Sequence, residues 1–337
     1  MKESTYTVGK RRRLRNRVVL VGNAVSSKEV LTSLSSMFEV VIISPNEFKE
    51  KIENYADSFA LWIHFDTYLD SSFLNSIQKI PFLISTTTGL THISEKIQSH
   101  FGDNLISLRG RTKFLTSITA TAEHAWSLIM LGNNNIFNSL SSVREGLWQR
   151  QDHLRDRQLS SQTLGVIGFG RLGKMVANYG SAFGMKVLVY DINKEVISAA
   201  KKNNVETTNS VEELFELSDV VSIHASFLPH TEKVVTAREL SKVEKATLLV
   251  NTARAGLVDE RAIIDEIEAR PFLRYFTDVL AFEEDGSALS DSILWQKALE
   301  TERILITPHI GGANREAMDL CERELLDFFL KKSSLEL

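Results

Sequence analysis

"GVIGFGRLG", residues 165–173, is the stretch on which the reading of this chain turns. Glycines in this pattern form either an ordinary tight turn or a cradle for the phosphates of a dinucleotide, and the pattern alone does not separate the two. The flanks do. Thr163 to Ile167 is an apolar run of strand character, and a helical pattern opens directly after Gly173 with Lys174-Met175-Val176-Ala177. In that setting Gly168 permits the turn, Gly170 lets the backbone approach a pyrophosphate, and Gly173 allows close packing of helix on strand. The N-terminus of the helix adds positive charge where the phosphates would lie. About twenty residues on, the strand "KVLVYD" ends in Asp191, whose carboxylate suits ribose hydroxyls and repels a 2′-phosphate. NAD is expected in preference to NADP.

The same alternation extends in both directions. Upstream, strand patterns stand at Val18–Val21, Val40–Ile43, Ala60–Ile63, Phe82–Ile84 and Leu105–Leu108, with amphipathic stretches between them and one long helical segment at about 119–140. Downstream they recur at Lys186–Tyr190, Val220–Ile223, Thr247–Val250 and Arg303–Ile306. Continuous apolar strands separated by helices indicate parallel sheets covered on both faces. The expected class is α/β, with two Rossmann-like, doubly wound parallel-sheet domains and a cleft between them.

A chain of 337 residues accommodates two domains. Its net charge of −4 favours neither nucleic acid nor an anionic membrane as partner. The run Lys10-Arg11-Arg12-Arg13-Leu14-Arg15 is the local exception, read as a solvated lead-in to the first strand in preference to a binding arm. The single cysteine, Cys321, fits a reducing compartment and reads as buried filler in a helical pattern. No apolar run approaches the roughly 18 residues of a membrane span, and the N-terminus lacks a secretory pattern. A cytoplasmic protein is expected.

Three stretches follow successive strands, where ligands gather in open α/β sheets. They are "LLVNTARAGLVDE" with Arg254, "FTDVLAFEED" with Asp278, Glu283 and Glu284, and "ILITPHIGGAN" with His309. An arginine grips a carboxylate through two parallel bonds. A histidine gives or takes a hydroxyl proton near neutral pH, and an adjacent carboxylate orients it and favours its protonated form. The remaining histidines offer no metal-ligand spacing: His64 reads as a packed or edge residue, His92 and His100 as surface residues, and His124 has no second histidine one turn away. His224 ends a strand at the cofactor face, as pocket lining or as a catalytic group. Trp62, Trp126, Trp148 and Trp295 are scattered and read as packing residues. No G-x-S-x-G elbow occurs.

Taken together, "GVIGFGRLGKMVANYGSAFGMKVLVYD", "SDVVSIHASFLPHTEKVV", "NTARAGLVDERAI", "TDVLAFEE" and "TPHIGGANREA" resemble the D-2-hydroxyacid dehydrogenase family over essentially residues 80 to 320. The resemblance implies interconversion of a small 2-keto acid and a D-2-hydroxy acid with NAD. It implies Arg254 as substrate clamp, Glu283 as the acid paired with histidine, and His309 as acid/base. On the cofactor side it implies Gly168, Gly170, Arg171, Leu172, Gly173, Asp191, His224, Thr252 and Asp278, with Asp278 holding the nicotinamide carboxamide. Backbone amides around Thr88 and Gly89 in "STTTGL" are implied to bind the substrate carboxylate. Residues 1–120 plus 309–337 correspond to a flavodoxin-like substrate domain, residues 121–308 to the NAD-binding domain, and a homodimer is expected, built through the cofactor domain and the helix that starts near Thr121.

Some positions depart from the family pattern. Ser85 stands where relatives that oxidise phosphoglycerate often carry arginine, and Ser226 and Glu284 replace common prolines. Thr91 replaces a frequent aspartate, and a chain ending at Leu337 leaves no room for the regulatory domain of some relatives. Arg109, Arg111 and Lys113 either recognise an anionic substrate tail or form a solvated loop. The rival outside the enzyme class is an NAD-responsive, corepressor-like binding module with little turnover.

Overall fold

The computed structural model describes residues 16–154, 157–245, 247–285 and 288–334, with the side chains of Glu284 and Asp285 excepted. The basic run Lys10–Arg15 lies outside the described residues. The chain divides into two compact units, Met1–Ser117 with Asn314–Leu337, and Ile118–Ala313.

The first unit holds β1 (Arg17–Val21), β2 (Glu39–Ile43), β3 (Ala60–Ile63), β4 (Phe82–Ser85) and β5 (Leu105–Ser107), parallel and in the order β2-β1-β3-β4-β5. Alternate residues serve opposite faces, as strand geometry dictates. Val19, Val21, Leu61, Ile63 and Leu83 bury one face with Phe48 and Ile97. On the other, Trp62 and Phe82 meet Phe329 of the C-terminal helix Arg315–Ser333 at ring separations of 6.2 and 5.5 Å. The same helix supplies buried Glu322, which accepts the amides of Ser26 and Ser27 ahead of the helix Lys28–Met37. A carboxylate there satisfies donors that the helix itself leaves open.

The second unit holds β6 (Thr163–Ile167), β7 (Lys186–Tyr190), β8 (Glu206–Thr207), β9 (Val220–Ile223), β10 (Thr247–Asn251), β11 (Leu273–Thr277) and β12 (Ile304–Ile306). Their order is β12-β11-β10-β9-β6-β7-β8, all parallel. Both faces are covered. Leu249 and Tyr275 point into a core with Leu214, Ile263 and Leu294, whereas Leu248, Val250 and Phe276 point into one with Ala125, Ile129 and Val176. The chain winds outward from β6 through β8, then returns to β9 and winds the other way, so a topological switch point lies between β6 and β9. Ligands of open α/β sheets bind at such points. The architecture is the expected α/β one, with two doubly wound parallel sheets. Two strands were not among those read from the sequence: β8, whose two residues are too few to show a period, and β11, whose apolar run is interrupted by Arg274.

Several expectations are corrected. The single helix at 119–140 is two helices, Ala120–Asn133 and Ile136–Arg144, broken where Asn135 adopts φ 51°. Asparagine is among the few non-glycine residues that tolerate that region. His92 is buried, not superficial, and bonds Ser85 Oγ at 3.1 Å. Arg111 belongs to neither reading of its loop: its guanidinium bonds Ser107 O at 3.0 Å and Glu324 at 2.9 Å and lies 3.9 Å from the ring centre of Phe328. Cys321 is half-buried, and Trp148 is 88% exposed instead of packed. Among the described residues, no group of His, Cys, Asp and Glu is arranged to hold a metal, and no helix is long and apolar enough to cross a membrane.

Candidate functional site

Register explains why distant motifs share one edge. Ile306, Thr277, Asn251, Ile223, Ile167 and Tyr190 are paired across six neighbouring strands, and each is the last residue of its strand. Every candidate residue of this unit follows that line within a few positions.

At β6 the chain leaves Ile167 into Gly168 at φ 88°, where its amide reaches Tyr190 O at 2.8 Å. A Cβ at Gly168 would lie 2.4 Å from Ala225 N, and one at Gly173 would lie 2.0 Å from Gly168 O. Neither position admits a side chain. Gly170 differs: it caps the helix Arg171–Ala182, and within 4 Å of a Cβ there the chain places nothing. The amides of Arg171 and Leu172 belong to the first helical turn, whose N–H groups have no intrahelical acceptor. The side chain of Arg171 turns to Ile118 O at 2.6 Å. The carboxylate of Asp191 accepts Phe169 N at 2.7 Å and Asn193 N at 2.8 Å, tying the glycine loop to the end of β7.

Two polar atoms on this rim are buried without a hydrogen-bond partner among the described residues, His224 Nδ1 and Thr252 Oγ1. Nε2 of His224 pairs with Ser222 Oγ at 2.8 Å, and burial pushes its pKa down to about 4, so the ring is neutral near pH 7. Orphaned buried polar atoms ask for a ligand with groups of its own. The open space at Gly170, the N-terminus of the helix Arg171–Ala182, the Asp191 carboxylate and these two atoms fit a dinucleotide.

His309 and Glu283 are brought together. Nδ1 of His309 is hydrogen-bonded to Glu283 Oε2, and Glu283 Oε1 accepts Leu280 N at 2.8 Å, which fixes the carboxylate. Both side chains remain about a quarter exposed, at 27% and 22%. Arg254 stands at the exit of the adjacent strand β10, where its own carbonyl accepts Asn251 Nδ2 at 2.9 Å. Thr88 and Gly89 belong to the other unit, in a loop after β4 pinned by Thr87 Oγ1, which donates to Gly89 O at 2.6 Å.

Asp278 is almost wholly buried. Its Oδ1 accepts Thr307 Oγ1 at 2.5 Å and Ile310 N at 2.9 Å, and its Oδ2 accepts Gly311 N at 2.7 Å. Burial alone would raise its pKa, but hydrogen bonds from His124, Thr307, Gly311 and Ile310 outweigh it and hold the carboxyl below its usual value. His124 and Thr307 were not singled out by motif. Thr307 lies two residues before His309, whereas His124 comes from 183 residues away along the chain, and no sequence signal links it to the site.

Residues 126–311 match the family model for the D-isomer specific 2-hydroxyacid dehydrogenase, NAD binding domain. A hydroxypyruvate reductase of Thermotoga maritima is 26% identical over 307 residues, 90% of this chain and 95% of that one. A glycerate dehydrogenase of Methylorubrum extorquens is 27% identical over 261 residues, covering 75% and 76%. A glyoxylate reductase structure from Paecilomyes thermophila superposes with a TM-score of 0.76 at 22% identity, covering 93% and 94%, which shows the shared fold. The chain belongs to the D-isomer specific 2-hydroxyacid dehydrogenases, NAD-dependent oxidoreductases of 2-hydroxy acids, and its seven-stranded unit carries their NAD-binding domain.

Proposed function

We propose that the protein interconverts a 2-keto acid and the corresponding D-2-hydroxy acid, with His309 as acid/base, Glu283 as its partner and Arg254 as the clamp on the substrate carboxylate. The observation that carries this reading is the His309–Glu283 hydrogen bond at the carboxyl edge of the NAD-binding sheet. Glu283 fixes the ring through Nδ1, so Nε2 is left to handle the proton of the substrate hydroxyl. NAD, when bound, supplies or accepts the hydride. Gly168, Gly170 and Gly173 with the Arg171 and Leu172 amides hold its diphosphate, Asp191 its ribose, and His224, Thr252 and Asp278 line its nicotinamide half. Amides around Thr88 and Gly89 are further carboxylate-binding groups in this reading. In this reading residues 121–308 bind NAD and residues 1–120 plus 309–337 bind the substrate.

The names of the relatives favour an enzyme over a cofactor-responsive binding module, and they point to small hydroxy acids of the glycerate kind, free or phosphorylated. A homodimer is part of the proposal. Its support is the helix Ile136–Arg144, whose Phe137, Leu140 and Val143 stand exposed at helical spacing beside Leu147 and Trp148.

The test is loss of NADH absorbance with glyoxylate, hydroxypyruvate, 3-phosphohydroxypyruvate and longer anionic keto acids. Turnover should fall roughly 10²–10⁴-fold in His309→Ala. Silence across the panel from a protein that binds NADH would overturn the reading.

A further inference from the structure

We infer that His124 is a positioning residue, which acts through Asp278 and Thr307 on the loop that carries His309; its catalytic meaning rests on the function proposed above. His124 Nε2 lies 3.2 Å from Asp278 Oδ1 and 3.0 Å from Thr307 Oγ1. An ionised carboxylate only accepts, so Nε2 carries the proton, and Thr307 Oγ1 accepts from His124 while donating to Asp278. The three groups close a ring of hydrogen bonds.

The loop they hold is strained where it matters. His309 sits at φ 51°, a left-handed conformation that few residues with a Cβ adopt and that the surrounding hydrogen bonds hold in place. Around it, Thr307 N donates to Thr277 O at 2.9 Å, His309 N to Thr307 O at 2.9 Å, and the Ile310 and Gly311 amides to Asp278. Those bonds set where the imidazole points, and hence whether its Nδ1 meets Glu283.

His124 braces this clasp from a rigid base. Its helix, Ala120–Asn133, buries Ala122, Ala125 and Ile129 against the sheet. The fit is close on the loop side too: a Cβ at Gly311 would lie 2.9 Å from Asp278 Oδ2 and 3.4 Å from the His124 ring. Without the His124 donor, Asp278 loses a charge-assisted bond and the Thr307 hydroxyl is no longer held to one direction. The imidazole of His309 then loses its aim while the cofactor cradle at β6 is untouched.

The experiment compares His124→Phe, which keeps ring volume without the donor, with His124→Gln, which keeps a donor. Hydrogen exchange of the Ile310 and Gly311 amides is read in both, together with melting temperature, kcat and KM. His124→Phe should exchange those two amides about tenfold faster, the equivalent of one hydrogen bond. It should also lose kcat by on the order of 10²-fold with little change in KM, the cost of a misplaced catalytic group. His124→Gln should recover most of both. Unchanged exchange in His124→Phe, or equal loss in both variants, would overturn the inference. Exchange does not depend on turnover, so a wild-type protein that reduces no keto acid removes the proposed function while the amides still decide whether His124 positions the loop.

Discussion

Asp191 and Phe169 are joined by a hydrogen bond of 2.7 Å from the Phe169 amide to the carboxylate, so the residue expected to bind ribose also braces the glycine loop. Bonds of this charge-assisted kind contribute about 1.5–3 kcal/mol. Asp191→Ala should therefore weaken NADH roughly 10–100-fold while weakening NADPH less, since the repulsion of a 2′-phosphate goes too. Fluorescence titration with both nucleotides measures this. An unaltered NADH affinity would remove Asp191 from the cofactor site.

Gly170 and Gly173 separate binding from folding. Alanine at 173 puts a Cβ against Gly168 O, and an overpacking cost of about 1–3 kcal/mol is expected as a lowered urea midpoint. Alanine at 170 meets no protein atom within 4 Å, so stability should stay within about 0.5 kcal/mol. Its methyl would instead occupy the approach of the diphosphate, and NADH affinity should fall at least about tenfold, or 1.4 kcal/mol. Normal NADH binding by Gly170→Ala would place the diphosphate elsewhere.

His224 makes stability depend on pH. Burial lowers its folded pKa from 6.5 to about 4, so the unfolded chain binds the extra proton between those values. Stability is complete above pH 6.5 and falls as pH drops toward 4, by up to about 3 kcal/mol from this residue. Urea denaturation of wild type and His224→Asn at pH 7, 5.5 and 4.5 isolates the effect. The wild type should lose more stability on acidification than the variant, and parallel losses would show that the ring titrates normally.

Leu140 is 53% exposed on the apolar face of the helix Ile136–Arg144. If that face pairs with a second copy, Leu140→Arg should convert a dimer to monomers in sedimentation, with circular dichroism unchanged. A wild type that sediments as a monomer, or a variant that remains dimeric, would assign the face another role.

The sequence by itself determined what depends on neighbouring residues. Strand, Gly168-to-Gly173 loop, helix and Asp191 lie within one short span, where period and spacing are readable. The parallel, doubly wound class followed from continuous apolar strands, because burial on both faces leaves no polar alternation. Only the tertiary structure decided what depends on non-local pairing. Trp148 is solvent-exposed although its type suggests packing, and His92 is buried because Ser85 offers it a partner across a loop. Arg111 is occupied by Glu324 and Phe328, far along the chain. The brace from His124 to Asp278 and Thr307 is the clearest instance. A hydrogen bond between residues 183 positions apart leaves no local period or motif, and exists only once sheet register sets the ends of β11 and β12 beside that helix.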